Sequence, residues 1–282
     1  MGYSESTKKR LLEKYGSWAV VTGASSGIGR ELALRLAEAG FHLVLAARRR
    51  NLLEALAEEV HRVHGVKTRI VEADLATDEG IEDVIYASQG LEVGMYVAAA
   101  GFGTSGEFLV NSLQAELAMI QVNCSALMAL AHHFGKRFGD QGRGGIILLS
   151  SMVAFQGVPF AANYAATKAY VQTFAEGLPA ELKPLGVDVL AAAPGPVNSG
   201  FADVADMQMG KALTPEQVSV PILKALGRRT TELPGFMTKF LVYALRTLPR
   251  WGKIKVMSTV MGGFTQHQRE GKATAKQEPV QA

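Results

Sequence analysis

Cysteine is almost missing from this chain. The one thiol, Cys124, excludes an intrachain disulfide and fits a reducing compartment. Strong charge of either sign is lacking as well: 29 Lys and Arg against 26 Asp and Glu leave a formal net charge of +3. No Lys/Arg block is interleaved with aromatics, so a nucleic-acid groove is not expected. His61, His64, His132 and His133 have no cysteine or carboxylate cluster beside them, so no metal site is expected. A hydrolase nucleophile elbow is not expected either. No uncharged run is read as reaching the ~18 residues of a membrane span. Residues 1–10 carry basic side chains with no apolar run behind them, so no secretory signal is read and a cytoplasmic location is expected. Gly2 with Ser6 matches the short N-myristoylation pattern.

What is present is an ordinary globular composition, 48% hydrophobic and 20% charged over 282 residues, enough to bury a sizeable core as one domain. From residue 17 onward strand-like and helix-like segments alternate, the pattern of βαβ units on a parallel sheet. Residues 17–22 read as the first strand and 28–39 as its helix, closed by Gly40. Residues 41–47 read as the second strand. A helix follows over 52–64, where Leu52, Leu53, Leu56, Val60 and Val63 recur at helical spacing. Further strands are expected over 66–73, 93–99, 146–149 and 187–192, with long helices over 113–137 and 163–185.

The expected architecture is one α/β domain over 17–230, a doubly wound parallel sheet with helices on both faces, preceded by an extension over 1–16. Residues 231–265 read as an amphipathic segment, apolar over 236–264 but carrying Lys239, Arg246, Arg250, Lys253 and Lys255. A cover over the substrate pocket or a subunit interface is the preferred reading, and a peripheral membrane-surface contact the other. Residues 266–282 are polar and aperiodic, and a mobile tail is expected.

Three features carry chemistry. Tyr164 and Lys168 stand four apart on one predicted helix, with Ser151 thirteen residues upstream of the tyrosine. An ammonium so placed is expected to stabilise a phenolate and lower the Tyr164 pKa from roughly 10. The turn Thr22-Gly23-Ala24-Ser25-Ser26-Gly27-Ile28-Gly29 lies between a strand and a helix, where its glycines allow close backbone approach to a pyrophosphate at the helix N-terminus. At the end of the second strand, where a fold selecting NAD carries an acid, the chain reads Ala46-Ala47-Arg48-Arg49-Arg50. A guanidinium there binds a 2′-phosphate, so NADP(H) is expected in preference to NAD(H). Arg48, the residue leaving the strand, is the expected selector; Arg49 or Arg50 reads as a solvated charge opening the next helix.

The spacing Thr-Gly-x-x-x-Gly-x-Gly, followed in order by Ser151, Tyr164 and Lys168, resembles the short-chain dehydrogenase/reductase family up to about Ser199. The resemblance implies a Rossmann-type fold and a role for each matched residue. Ser151 would hold the substrate oxygen, Tyr164 would act as acid or base, and Lys168 would tune the tyrosine and hold the nicotinamide ribose. Asn123 would order a proton-relay water. Cofactor contacts are implied at Gly23, Ser25, Ser26, Gly27, Ile28 and Gly29, at Asp74 and Leu75 beside the adenine, at Ala99 and Gly101, and at Pro194, Gly195, Val197 and Ser199. One departure stands out: Ala98-Ala99-Ala100-Gly101 replaces the family's Asn-Asn-Ala-Gly, so two side-chain hydrogen bonds of the central sheet cannot form.

The implied activity is NADP(H)-dependent interconversion of an alcohol and a ketone or aldehyde, in a homo-oligomer. Phe102, Val153, Phe155, Val158 and Phe160 near the expected pocket point to a hydrophobic, lipid-like or steroid-like substrate. The competing readings are a non-catalytic dinucleotide sensor or scaffold and a nucleotide-sugar epimerase or dehydratase. The stretch after Ser199 leaves little room for the longer substrate domain of the latter.

Overall fold

Seven parallel strands form one sheet in the computed structural model, which describes residues 4–210 and 212–268. The first half of the chain runs α1 (Glu5–Tyr15), β1 (Trp18–Thr22), α2 (Gly27–Glu38), β2 (His42–Ala47), α3 (Arg50–His64), β3 (Thr68–Glu72), α4 (Asp78–Ala87) and β4 (Val93–Ala98). Next come α5 (Leu113–Ile120) and α6 (Leu127–Gln141), joined without a break by a π-helical turn, Gln121–Ala126. The second half continues with β5 (Gly144–Leu149), α7 (Ala162–Leu182), β6 (Val187–Ala192), α8 (Phe201–Val204), α9 (Pro215–Ala225), β7 (Thr231–Glu232), α10 (Phe236–Arg246) and α11 (Arg250–Phe264).

The strand order is β3-β2-β1-β4-β5-β6-β7, so winding reverses between β1 and β4. That reversal opens a crevice at the carboxyl ends of the strands, the place where such sheets bind ligands. Every residue of β4 and β5 is buried, because helices cover both faces of a parallel sheet. Successive side chains feed opposite layers: Val21, Leu43, Leu45 and Ile147 pack with α2, α3 and α9, while Val20, Val44, Tyr96 and Ile146 pack with α6 and α7. A single doubly wound α/β domain is therefore observed.

The N-terminal segment belongs to this domain. Leu11 and Tyr15 of α1 are fully buried, Arg10 donates to the Leu226 carbonyl (2.9 Å), and the Tyr15 hydroxyl donates to Asp188 Oδ2 (2.7 Å). Among residues read as a tail, His267 pairs with Asp206 (2.9 Å) and Gln268 donates to Ser105 Oγ (3.0 Å). Gly2 and residues 269–282 lie outside the described residues.

One expectation is corrected by the helical run Leu113–Gln141, which is long and apolar enough to cross a membrane. Residues 117–135 contain no Asp, Glu, Lys or Arg, so an uncharged run of that length does exist. One face of it packs in the core, with Leu127, Leu130, Phe134 and Phe138 on the sheet and Asn123 in its middle completely buried, while Leu117, Ile120 and Met128 on its outer side are exposed.

Candidate active site

Tyr164 and Lys168 lie in the first turns of α7, and Ser151 follows β5 at the start of a 3₁₀ turn, Met152–Phe155. All three are buried. The Ser151 side chain lies near enough to the Tyr164 hydroxyl to favour its ionised form. The neighbouring Ser150 is spent elsewhere, donating to the Lys168 carbonyl at 3.0 Å. Lys168 Nζ donates to the Leu149 carbonyl at 2.8 Å and stands 5.9 Å from the centre of the Tyr164 ring.

Burial decides the protonation states. It pushes the Tyr164 pKa up to about 12, opposed only in part by the nearby Ser151 side chain. It pulls Lys168 down to about 8. The expected lowering of the tyrosine is thus reversed in this structure: the ammonium is aimed at a backbone carbonyl, and desolvation penalises the phenolate.

Two buried polar side chains brace this centre. Asn123, in the π-helical turn, donates from Nδ2 to the Phe102 carbonyl (2.9 Å) and to Thr167 Oγ1 (3.0 Å), and its Oδ1 accepts from Phe102 N (3.1 Å). It therefore ties the loop after β4 to the residue preceding Lys168. Glu116 accepts from Thr104 Oγ1 (2.7 Å), Asn111 Nδ2 (2.9 Å) and Asn163 Nδ2 (2.6 Å), fixing the residue preceding Tyr164. These groups floor a cavity of ≈ 390 Å³ walled by Phe108, Leu109 and Phe160. Glu116 was not singled out from the sequence, although one acid in an otherwise apolar helix was a signal.

The crevice beside β1 has little room to spare. A Cβ on Gly29 would overlap the Gly23 carbonyl, and one on Gly23 would lie 2.6 Å from Ala100 N. Ser26 caps α2 without a side-chain bond, so the first-turn N–H groups of that helix remain available to an anion. Arg49 Nη2 lies over this turn, donating to Ser25 Oγ (3.0 Å) and Ser26 Oγ (2.7 Å). Arg50 is spent on Glu54 (2.8 Å), and Arg48 is exposed at the end of β2. The solvated reading suits Arg50 but not Arg49.

Gly23-Ala24-Ser25-Ser26-Gly27 does satisfy the Gly-x-Ser-x-Gly spacing of a hydrolase elbow. Both serines here face a guanidinium, with no histidine bonded to either among the described residues. Thr22 partly replaces the missing asparagines: its hydroxyl donates to the Val97 carbonyl (3.3 Å) and accepts from Ala100 N (3.4 Å), joining β1 to β4.

The remaining expected positions line the same edge. Asp74 Oδ1 accepts from Ala76 N (3.0 Å), closing its own turn, with Leu75 buried beside it. A Cβ on Gly101 would lie 2.9 Å from Asn123 Oδ1 and 3.4 Å from Lys168 Nζ, and Ala99 meets the Gly29 position. Ser199 Oγ donates to the Val197 carbonyl (3.3 Å). The Pro194-Gly195 loop is covered by Thr238 of α10, whose Oγ1 would lie 2.6 Å from a Cβ on Gly195. Phe201 packs at a tilt against Tyr164, with ring centres 5.1 Å apart and planes at 42°. Neither Thr238 nor Phe201 belongs to a motif, so nothing in the sequence marked them.

Around Tyr164 the apolar cluster contains Phe102, Val153, Val158 and Phe160, together with Leu245, Met257 and Met261 from α10 and α11. Phe155 is not among them. It packs instead with Met152, Leu233 and Val242, under the guanidinium of Arg246.

The family model for short chain dehydrogenases matches residues 17–209, spanning every motif described above except the C-terminal helices. The chain belongs to that family. As a short-chain dehydrogenase it is an oxidoreductase acting on CH–OH donors. The 7beta-hydroxysteroid dehydrogenase of Collinsella aerofaciens is 30% identical over 240 residues, covering 83% of this chain and 91% of its own. A very-long-chain 3-oxoacyl-CoA reductase from Podospora anserina is 34% identical over 187 residues, covering 64% of this chain and 54% of its own. A short-chain dehydrogenase from Sphingobium yanoikuyae, solved in complex with NADPH, superposes with a TM-score of 0.76 at 29% identity, covering 82% of this chain and 92% of the other.

Proposed function

We propose that this enzyme uses NADP(H) to interconvert an alcohol and a ketone on a hydrophobic, lipid-like substrate. The observation that carries the reading is the buried trio Ser151, Tyr164 and Lys168, with Tyr164 set within an apolar cluster of Phe102, Val158, Phe160 and Phe201. The relatives named for hydroxysteroid and oxoacyl substrates support it from outside.

The cofactor crevice fits a dinucleotide on its own residues, since the Gly23 and Gly29 positions leave no space for side chains and the α2 N-terminus is free of a side-chain cap. Gly23, Ser25, Ser26, Gly27, Ile28 and Gly29 would take the pyrophosphate. Asp74, Leu75, Ala99 and Gly101 would border the adenosine side, and Pro194, Gly195, Val197 and Ser199 the nicotinamide side. Arg48 and Arg49 would hold a 2′-phosphate, Arg49 from over the two serines.

When bound, NADPH supplies the hydride for the carbonyl carbon. Ser151 holds the carbonyl oxygen, and Tyr164 gives that oxygen its proton as its own O–H bond breaks. With its pKa near 12 the tyrosine carries that proton at neutral pH. Lys168, one turn along α7, compensates the phenolate left behind. Asn123 and Glu116 hold the residues preceding Lys168 and Tyr164 and so fix where both functional groups stand.

The test is loss of NADPH absorbance with a panel of ketones from small to steroid-sized. Turnover rising with apolar bulk is the expected result; turnover confined to small polar carbonyls would overturn the substrate class. For the cofactor, Arg49→Ala should cost ~1.5 to 3 kcal/mol of NADPH binding while leaving NADH nearly unchanged. Arg48→Ala should act in the same sense, and fluorescence titration of both cofactors measures each. Equal losses for the two cofactors would refute the phosphate assignment.

A further inference from the structure

The helices α10 and α11 cover the catalytic cluster with one face and leave the other bare. Inward, Val242 and Leu245 of α10 and Met257 and Met261 of α11 are buried, three of them packed in the cluster that contains Tyr164. Outward, Phe236 is 81% exposed and Trp251 71%, and Phe240, Leu241, Tyr243 and Val256 are exposed to a lesser degree, 38% to 56%. Phe236 and Phe240 stack on each other across one turn, so the apolar stripe of α10 is continuous. Isolated exposed hydrophobics are unremarkable on a surface, but a set recurring along two successive helices, stacked within α10, points to a binding face.

The charge pattern says what it binds. No Asp or Glu occurs between Glu232 and the end of α11, whereas Lys239, Arg246, Arg250, Lys253 and Lys255 do. Lys239 is satisfied by Glu232 at 3.2 Å, and Arg246 lies over the rings of Tyr243 and Phe155. Arg250, Lys253 and Lys255 have no carboxylate partner among the described residues, and they stand beside Trp251 and Val256. A second copy of this face would bring cations against cations across a two-fold axis. An anionic bilayer offers an apolar interior below a negative surface and complements both halves of the pattern.

We propose that the outer face of α10 and α11 docks this enzyme on anionic lipid surfaces, with the aromatic and aliphatic side chains entering the headgroup boundary and the cations on the lipid charges. Docking there sets the bilayer one helix away from the Tyr164 cluster. The proposal rests on the surface alone and does not depend on which substrate the site takes.

Cosedimentation of the full chain with phosphatidylcholine vesicles, with and without phosphatidylglycerol, tests it at low and high salt. Pelleting should require the anionic lipid and should fall with added salt, because exposed pairs are screened beyond a Debye length of about 10 Å at 0.1 M. Each cation lost should weaken partition about fivefold, so Lys253→Gln with Lys255→Gln should lose roughly twentyfold, and adding Arg250→Gln about a hundredfold. An unchanged thermal midpoint in these variants separates lost docking from lost folding. Trp251 supplies a direct readout, because the only other tryptophan is Trp18. Its emission should shift to the blue on anionic vesicles, and Trp251→Phe should abolish that shift. Equal pelleting on neutral lipid, indifference to salt, or full partition by the triple variant would overturn the proposal. So would a lipid-free oligomer, seen by sedimentation velocity, that Phe240→Ser dissolves, since the face would then be covered by a second copy.

Discussion

Tyr164 reaches its protonated resting state through burial, which the nearby Ser151 side chain opposes only in part. Tyr164→Phe keeps the ring and its contact with Phe201 but removes the proton, so kcat should fall by ~10² or more while cofactor binding persists. Steady-state turnover set beside a fluorescence titration measures both; near-normal turnover would remove the tyrosine from the proton-transfer role. Lys168 yields a pH dependence with a definite sign. Its folded pKa of about 8 lies below the ordinary 10.5, so between those values the unfolded chain binds more protons than the folded one. The burial penalty on its ammonium is full below the folded pKa and gone above the unfolded one. Cofactor-free protein should therefore gain stability as pH rises through that window, and Lys168→Met should lose this increment in denaturant titrations. Ser151, Tyr164 and Lys168 were legible in the sequence because their chemistry demands fixed residue types at fixed spacing. The tyrosine's pKa direction was not, because it depends on what covers the ring, and that cover comes from Phe201 and from Met257 and Met261, far along the chain.

Strands β1 to β6 and helices α2, α3, α5 to α6 and α7 were legible as elements, since a parallel sheet covered on both faces needs unbroken apolar runs such as Val93–Ala98, and helices between them need a repeating stripe; α4 was not read. Helix α1 was not legible as core. Its charged sequence hides two fully buried side chains, Leu11 and Tyr15, too few to set a period. The π-helical turn was equally hidden, because the extra residue it accommodates changes no composition and shows only in where Asn123 points. The departure at Ala98 and Ala99 had its compensation on another strand, in Thr22. Thr22→Val keeps the shape of that side chain and deletes its hydroxyl, leaving the Ala100 N–H without that partner. It should cost about 1 to 3 kcal/mol, read as a lowered denaturant midpoint at unchanged m-value. No loss of stability would mean that the β1–β4 junction holds without this hydroxyl.

At the scale of the molecule, one sheet joins parts that the chain presents as separate: α1 beneath it, the cofactor turn and catalytic helix at its carboxyl edge, and α10 with α11 over the site. Leu11→Ala, remote from all chemistry, should cost ~2 to 5 kcal/mol as a buried cavity. For a domain of this size that corresponds to ~2 to 4 °C of Tm per kcal/mol, followed by calorimetry. Turnover per folded molecule should stay as it was; a parallel loss would mean that α1 reaches the site. The scarcity of thiols also gives the fold a built-in clock. Cys124 sits in the π-helical turn between Asn123 and the catalytic helix, half-buried, with its Sγ 3.8 Å from the Thr167 carbonyl and its pKa raised by burial. A thiol reagent can modify this chain at one position only, the half-buried Cys124. The modification rate is therefore read at the active-site wall alone in unaltered protein, and ligands that close the site should slow it.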